Sequence, residues 1–252
     1  MDTGAYLERI NYRGPLDPTA DTLRRLHVAH LLSVPFENLS IHAKEPVVLE
    51  DGALFDKIVR GRRGGFCYEV NGLFAALLRA LGFDVRMLSA EVAKSEGGFG
   101  PDFDHMALLV TLEERWLADV GFGDSFVEPL LLDYRGEQPQ RGRTYRIVPE
   151  GERLVLARRD GGGEWEPQYR FTLRPYGYPD FAGMCRYHQT SPESHFTRGR
   201  VCSRATAEGR VTLSEMRLIT TTGGGRREER TLTSQEEYAA ALREHFGIVM
   251  AG

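Results

Sequence analysis

The stretch RGRRGGFCYEVNG, residues 60–72, combines a break in the chain with the start of a helix. Gly64 and Gly65 are typical of a turn, and apolar residues then recur at helical spacing until Gly82, which predicts a left-handed cap. Cys67 is therefore predicted in the first turn of a helix. Free N–H groups and the helix dipole favour a thiolate there and should lower the pKa of the thiol. The alternative is that Cys67 is a small buried residue that begins a core helix.

The hydrophobic pattern changes twice along the chain, and the three regions that result predict an α+β fold. Apolar residues recur at helical spacing up to about residue 82. Short β-branched and apolar runs follow over residues 83–187 and predict an antiparallel sheet or barrel. Further strands and a last helix that ends at Gly247 complete the chain. The predicted divisions are residues 1–84 (a helical bundle carrying the cysteine), 85–187 (a β-barrel) and 188–252 (a connecting segment and an α/β lid).

Composition and charge are those of an ordinary globular chain. The 252 residues are 41% hydrophobic and 27% charged, with a formal net charge of −4. Proteins that bind nucleic acid usually carry a basic excess on one face, so nucleic acid is not an expected partner. The N-terminal segment lacks a basic stretch followed by an apolar run, and no apolar stretch is long enough to span a bilayer. We therefore expect a cytoplasmic protein without a membrane partner. The oligomeric state is not readable from the sequence.

The cysteines and known motifs narrow the chemistry. Cys67, Cys185 and Cys202 are an odd, widely spaced set, which is typical of neither a disulfide framework nor a zinc site, and no metal is expected. The sequence motifs of P-loop NTPases, zinc proteases and serine hydrolases are absent. Because Cys185 and Cys202 lie in loop or strand context, only Cys67 has surroundings that favour a nucleophile.

A histidine and an aspartate further along the chain are the candidate partners of this thiol. A thiolate usually works with a histidine base, which a third polar group orients. His105 opens the apolar strand DHMALLVTL, and Asp119 interrupts the apolar strand RWLADVGFG. If residues 113–114 form the turn, a loop of odd length places both side chains on one face, whereas an even loop does not. Two other histidines, His27 and His30, are expected at the edge of the core or at the surface.

These stretches resemble the arylamine N-acetyltransferase family. RGGFCYEVNGLF resembles the family's active-site signature, and VPFENLSIH is similar to the segment before it. DHMALLV and LADVGFG are similar to its histidine and aspartate segments, in the same order. YLERINYRG and SPESHFTRGRVCSR extend the resemblance over nearly the whole chain. It implies a helical bundle, a β-barrel and a smaller α/β lid, around a Cys-His-Asp core of the kind found in cysteine proteases and transglutaminases.

The resemblance also implies an activity and a set of roles. Acetyl-CoA would acetylate Cys67 of a Cys67-His105-Asp119 triad, and the acetyl-cysteine would pass its acetyl group to an arylamine, hydrazine or N-hydroxyarylamine in ping-pong order. Such an intermediate needs apolar walls against water. The candidate residues are Phe36, Phe122 and Phe196 for these walls, Gly121, Gly123 and Ser125 for coenzyme A, and Arg63, Glu69 and Asn71 as support. An ion pair between Arg63 and Glu69 is expected, and Asp124 departs from the small turn typical of the family.

Other functions use the same residue types. A thiol acyl hydrolase, a transglutaminase-like enzyme or a biosynthetic amide synthase would need the same triad. A peptide acyl donor, rather than acetyl-CoA, would distinguish the first two. A non-catalytic small-molecule binder is disfavoured because all three triad residues are present.

Overall fold

The computed structural model describes residues 1–222 and 225–249. The helices are α1 (Thr3–Arg9), α2 (Ala20–Ser33), α3 (Leu39–His42), α4 (Asp51–Phe55), α5 (Cys67–Ala80), α6 (Tyr178–Thr190), α7 (His195–Arg198) and α8 (Gln235–Ala241), and π-helical turns Asp56–Arg60 and Leu242–Phe246 continue α4 and α8. The strands are β1 (Phe36–Glu37), β2 (Asp84–Val92), β3 (His105–Thr111), β4 (Arg115–Ala118), β5 (Leu130–Leu131), β6 (Gln138–Gln140), β7 (Arg143–Glu150), β8 (Arg153–Asp160), β9 (Glu166–Tyr176), β10 (Val201–Ala205), β11 (Gly209–Ser214), β12 (Arg217–Thr222) and β13 (Arg227–Thr231). No helix in the described ranges is long and apolar enough to cross a membrane.

Helix α5 is the central element of the N-terminal part. It begins at Cys67, as predicted, and every residue from Cys67 to Leu78 is buried. A helix that is buried on all sides lies in the core of a protein, and α5 packs against α4, α6, β2 and β3. The Glu69 carboxylate accepts the Phe66 N–H at 3.1 Å and caps the first turn. Gly82 lies beyond the last turn with a φ of +90°, the left-handed conformation that was predicted.

The strands that follow form an eight-stranded antiparallel sheet in the order β5-β4-β3-β2-β9-β8-β7-β6. Its two end strands are joined by side chains. The Gln138 amide on β6 accepts the Leu131 N–H of β5 at 2.9 Å and donates to the Leu131 carbonyl at 3.1 Å. Gln140 accepts the N–H groups of Val127 and Glu128 at 3.0 Å. The sheet is therefore a nearly closed barrel, and the predicted α+β class is confirmed.

A five-stranded sheet, β1-β10-β11-β12-β13, forms the third part and packs against α8. Its edge strand β1 comes from the N-terminal part, so the first and third parts share a sheet. Asn38, just after β1, strengthens this link. Its side-chain amide donates to the carbonyls of Phe196 and Gly199 and accepts the Val201 N–H, at 2.7–2.9 Å. The proposed divisions at residues 84 and 187 remain predictions.

One element differs from the expected run of strands. Residues 178–187 lie in the region predicted to be rich in strands, and Cys185 was expected in a loop or strand, but these residues belong to helix α6. Pro179 is compatible with the first helical turn, where no N–H partner is needed. The Asp180 carboxylate accepts the Gly177 N–H at 2.8 Å and caps the helix. These start signals are present in the sequence, although the aromatic residues nearby favour a strand.

Candidate active site

The thiol of Cys67 lies in a buried site at the start of α5. Cys67 is 3% exposed, and its side chain faces the backbone of Met106 on β3. Burial raises the pKa of the Cys67 thiol, while the Met106 backbone hydrogen bond acts in the opposite direction. The prediction that the helix terminus lowers the pKa of the Cys67 thiol is therefore wrong, because the effect of burial is larger. A thiolate here requires a cation close by.

His105 and Asp119 form a buried pair. The His105 Nε2 atom is 2.7 Å from Asp119 Oδ2, and both residues are at most 2% exposed. Burial alone raises the pKa of Asp119. Attraction to His105 and hydrogen bonds from His105, Asn71 and Gly121 outweigh burial and hold this pKa below its usual value. Asp119 is therefore ionised, and His105 keeps its Nδ1 atom for another partner.

The β3–β4 hairpin explains why these two side chains meet. Thr111 pairs with Arg115, so the loop consists of residues 112–114 and has an odd length. The register pairs Leu108 with Ala118, which makes Asp119 a diagonal neighbour of His105 on the same face. The condition set from the sequence is fulfilled, and the predicted hairpin is confirmed.

Asn71 connects the helix to this pair. It lies one turn after Cys67 on α5, and its Nδ2 atom donates to Asp119 Oδ1 at 2.9 Å and to the Met106 carbonyl at 2.6 Å. Its Oδ1 atom accepts the Val120 N–H at 2.9 Å. Every polar atom of this buried amide has a partner, so one side chain fixes α5 against both strands of the hairpin.

His27 belongs to the same network, although the sequence placed it at the core edge or surface, which is wrong. It is fully buried on α2. Its Nε2 atom accepts the Asp119 N–H at 3.0 Å, and its Nδ1 atom lies 2.8 Å from the Val127 carbonyl. Burial lowers the pKa of His27 to about 4, so the ring is neutral at pH 7, with its proton on Nδ1. Its helical spacing with Leu23 and His30, which are also buried, was the available signal.

Burial of His30 was missed in the same way. His30 is fully buried, and its Nδ1 atom lies 2.9 Å from the hydroxyl of Tyr6. Burial lowers the pKa of His30 well below its usual value.

The three candidate wall residues surround this region. Phe122 meets the His105 ring edge-to-face at a centroid distance of 5.1 Å. Phe36 and Phe196 contact each other with centroids 6.1 Å apart. A Cβ atom built on Gly123 would lie 3.9 Å from Phe36, so the strand β1 and the turn after Asp119 face each other. Tyr169, which no sequence pattern indicated, packs its buried ring on His105 at 5.2 Å and on Phe122 at 5.1 Å.

The turn that follows Asp119 carries the candidate coenzyme A residues. A Cβ atom on Gly121 would lie 2.8 Å from the Cys67 Cα atom, so a side chain has no room at this position. The Gly121 N–H donates to Asp119 Oδ1 at 2.9 Å. Gly123 has a φ of +86°, which favours glycine. Ser125 is buried, and its hydroxyl has no hydrogen-bond partner among the described residues.

A cavity of about 880 Å³ opens beyond this turn, between the barrel and the five-stranded sheet. Its lining includes Ser125, Asp124, Arg143 and Arg210. The Asp124 carboxylate receives hydrogen bonds from Arg143 at 2.7 and 2.8 Å and from Arg210 at 3.0 Å. Burial raises the pKa of Asp124, but these arginines outweigh it and keep this pKa low. The acidic residue therefore lies within a basic cluster.

The expected ion pair between Arg63 and Glu69 is wrong. Arg63 instead pairs with the fully buried Glu37 at 3.0 Å. Glu69 pairs with Lys57 at 2.6 Å and caps α5. Both residues still lie beside the turn that leads to Cys67. Among the described residues, no group of His, Cys, Asp and Glu is arranged to hold a metal ion.

Comparison with known proteins gives a consistent result. A family model described as N-acetyltransferase matches residues 19–252. The chain is 35% identical over 246 residues to an arylamine N-acetyltransferase of Escherichia coli (strain K12), with 96% of this chain and 87% of the relative covered.

Solved structures agree with this match. An arylamine N-acetyltransferase from Salmonella typhimurium has a TM-score of 0.92 and 32% identity, with 98% of this chain and 90% of that chain covered. The Mycobacterium marinum arylamine N-acetyltransferase in complex with CoA has a TM-score of 0.90 and 35% identity, with 98% and 93% covered.

Proposed function

Because the chain belongs to the arylamine N-acetyltransferase family and is an acetyltransferase enzyme, we propose that it acts through an acetyl-Cys67 intermediate. The observation that supports this proposal best is the Asp119 carboxylate. It holds His105 at 2.7 Å and is tied through Asn71 to the helix that begins at Cys67. Nucleophilic acyl transfer by a thiol requires a histidine base that a buried carboxylate orients, and the Asp119–His105 pair is of this kind.

The first half-reaction forms the acetyl-enzyme. Asp119 orients His105 and stabilises its positive charge. This imidazolium is the cation that a buried thiolate requires, so Cys67 reacts as a thiolate. The sulfur attacks the thioester carbonyl of acetyl-CoA, and backbone N–H groups in the first turn of α5 stabilise the oxyanion. The new carbon–sulfur bond to Cys67 forms as the bond to coenzyme A breaks, and the leaving thiolate takes the proton from His105.

The second half-reaction transfers the acetyl group to an arylamine, hydrazine or N-hydroxyarylamine. The nucleophilic nitrogen or oxygen attacks the acetyl-Cys67 carbonyl, His105 accepts its proton, and the Cys67 thiolate leaves. Phe36, Phe122 and Phe196 form apolar walls that exclude water from the acetyl-enzyme and receive the aromatic ring of the acceptor. Xenobiotic amines are the acceptor class that we propose, and the cytoplasm is the compartment.

The path of coenzyme A is proposed along the turn after Asp119. Gly121 and Gly123 let the thioester approach the backbone beside Cys67. The Ser125 hydroxyl, which has no partner in the part of the chain that the structure describes, is available to the cofactor. The cavity beyond Ser125 receives the phosphates, with Arg143 and Arg210 as counter-charges. Asp124 then competes with the phosphates for the same two arginines.

Steady-state kinetics tests the reaction order. Initial rates are measured while acetyl-CoA is varied at several fixed concentrations of an arylamine such as 4-aminobenzoic acid or of the hydrazine isoniazid. A ping-pong mechanism predicts parallel double-reciprocal lines. Intersecting lines would contradict the acetyl-enzyme intermediate, and turnover of peptide glutamine instead of acetyl-CoA would favour the transglutaminase-like alternative.

A further inference from the structure

A smaller cavity lies beside the loop that leads into the Cys67 turn, with Arg62 of that loop in its lining. Its volume is about 220 Å³, enough for several waters or one small ion. It is bounded by α1, the end of α2, the loop before Gly64, β10 and the π-helical turn after α8. The lining residues are Arg9, Asn11, Leu32, Ser33, Arg62, Arg204, Arg243, Glu244, Phe246 and Gly247.

The charge of this cavity is unbalanced. Four guanidinium groups line it, whereas Glu244 is the one carboxylate among the side chains that the structure describes there. Most arginines of the described chain have a carboxylate partner, but Arg9, Arg62, Arg204 and Arg243 form no ion pair with any described residue. The four form one cluster, which we call the arginine cavity.

Two of these arginines are held in place by the backbone. Arg9 is 5% exposed and donates to the carbonyls of Ile58 at 3.0 Å and Ser33 at 2.8 Å. Arg204 donates to the His245 carbonyl at 2.6 Å, while its buried Nε atom has no partner within the described ranges. The Arg204 guanidinium is therefore held at the wall of the cavity with unused donor capacity.

Such an arrangement is costly without a counter-ion. Burial lowers the pKa of Arg9 to about 10, and repulsion from Arg62 and Arg204 acts in the same direction. A buried cation is stabilised by an anion that accepts its hydrogen bonds, and planar guanidinium groups fit the oxygens of phosphate in pairs.

We propose that the arginine cavity binds one small oxyanion of the phosphate class. The anion accepts hydrogen bonds from Arg204 and Arg243, with Arg9 and Arg62 supplying further positive charge. This site shares no lining residue with the cavity that we assign to coenzyme A. It lies behind the turn that carries Cys67, because Arg9 also donates to the carbonyls of Arg62 at 3.4 Å and Arg63 at 3.2 Å.

Isothermal titration calorimetry with inorganic phosphate, at an ionic strength held constant with NaCl, tests the proposal. Wild-type protein should show saturable binding of one phosphate per chain. Arg243→Gln, an exposed position whose change leaves the core intact, should weaken binding roughly tenfold, about 1.4 kcal/mol. Arg186→Gln is the matched control, since it removes the same charge from an exposed position on α6, and it should bind like wild type.

Three results would overturn the proposal: no saturable binding to wild type, equal affinities for wild type and Arg243→Gln, or equal weakening by Arg186→Gln. Arg204→Gln should weaken binding further, and a circular dichroism spectrum of each variant separates lost binding from lost folding. Because no acetyl-CoA or amine is present, failure of this experiment leaves the proposed acetyl transfer untouched.

Discussion

Asp119 and Asp124 lie five residues apart on one turn and show two different ways to hold a carboxylate. Asp119 is 1% exposed, and hydrogen bonds from His105, Asn71 and Gly121 fix the position of its carboxylate. The Asp124 side chain is 49% exposed and faces long arginine side chains at the edge of an open cavity. The first arrangement positions atoms for chemistry, whereas the second sets the charge of a surface. Substitutions at the two ends of the turn should therefore differ in size and in kind.

The largest effect is expected at the buried end. Asp119→Asn keeps the shape of the side chain but removes the charge that holds and stabilises the His105 imidazolium. We expect kcat/KM to fall on the order of a thousandfold or more, measured as coenzyme A release with an arylamine. Asp124→Asn, at the other end of the turn, should not lower kcat/KM. A loss of less than about tenfold in Asp119→Asn would contradict the proposed role of the pair.

The second largest effect is expected at Asn71, which joins α5 to the β3–β4 hairpin. Asn71→Ala removes an amide with three buried hydrogen bonds, which should cost about 3 kcal/mol of unfolding free energy. It also loosens α5 against β3, and a misplacement of this kind costs about a hundredfold in rate. Denaturant unfolding and kcat measure the two effects.

Asn38→Ala provides the comparison for Asn71→Ala. Asn38 is also buried and also makes three hydrogen bonds, but its partners lie in α7, at Gly199 and at the start of β10. Asn38→Ala should lower the unfolding free energy by a similar amount as Asn71→Ala, but it should lower kcat less. Equal losses of activity in the two variants would mean that Asn71 has no special part in the site.

Acid should weaken the buried network through His27. The ring is neutral in the folded protein, with a pKa of about 4, and is protonated below about pH 6.5 when unfolded. The unfolded state therefore binds one more proton between these values, and stability falls as pH falls through this window, by about 3 kcal/mol in all.

His27→Gln isolates this contribution, because glutamine has both a donor and an acceptor but does not titrate. Urea unfolding between pH 4.5 and 7.5 should give a flatter profile for this variant than for wild type. His30, whose pKa is also lowered by burial, is present in both proteins. Superimposable profiles would show that His27 does not stay neutral in the fold.

The smallest effect is expected at the exposed end of the turn. Asp124→Asn should change the unfolding free energy by less than about 1 kcal/mol, since ion pairs open to solvent contribute little. It should also lower KM for acetyl-CoA severalfold, because Arg143 and Arg210 are released for phosphate. A KM that is unchanged or raised would contradict the proposed cofactor path.

The sequence predicted those parts of the molecule that depend on local pattern. The start of α5 at Cys67, its cap at Gly82 and the β3–β4 hairpin all follow from spacing and turn residues close in the chain. The α+β class and the family were also predicted correctly.

Other features depend on residues that are distant in sequence. Glu37, rather than Glu69, pairs with Arg63 because β1 joins the sheet of the third part, a contact that no local pattern encodes. The buried state of His27 was missed for a related reason. Helical spacing marks one face of α2, but it does not tell whether a histidine on that face meets water or a hydrogen-bond partner such as the Asp119 N–H, just after β4.

Formation of the acetyl-enzyme is the most direct test of the central claim. The protein is mixed with acetyl-CoA in the absence of amine, and its intact mass is recorded before peptide mapping. We predict one acetyl group, located on Cys67 in wild type. Cys185→Ala should retain it, because burial raises the pKa of Cys185 to about 12 and keeps that thiol unreactive. Cys67→Ala should lack it. An unmodified wild-type protein, or an acetyl group that persists in Cys67→Ala, would contradict a mechanism through Cys67.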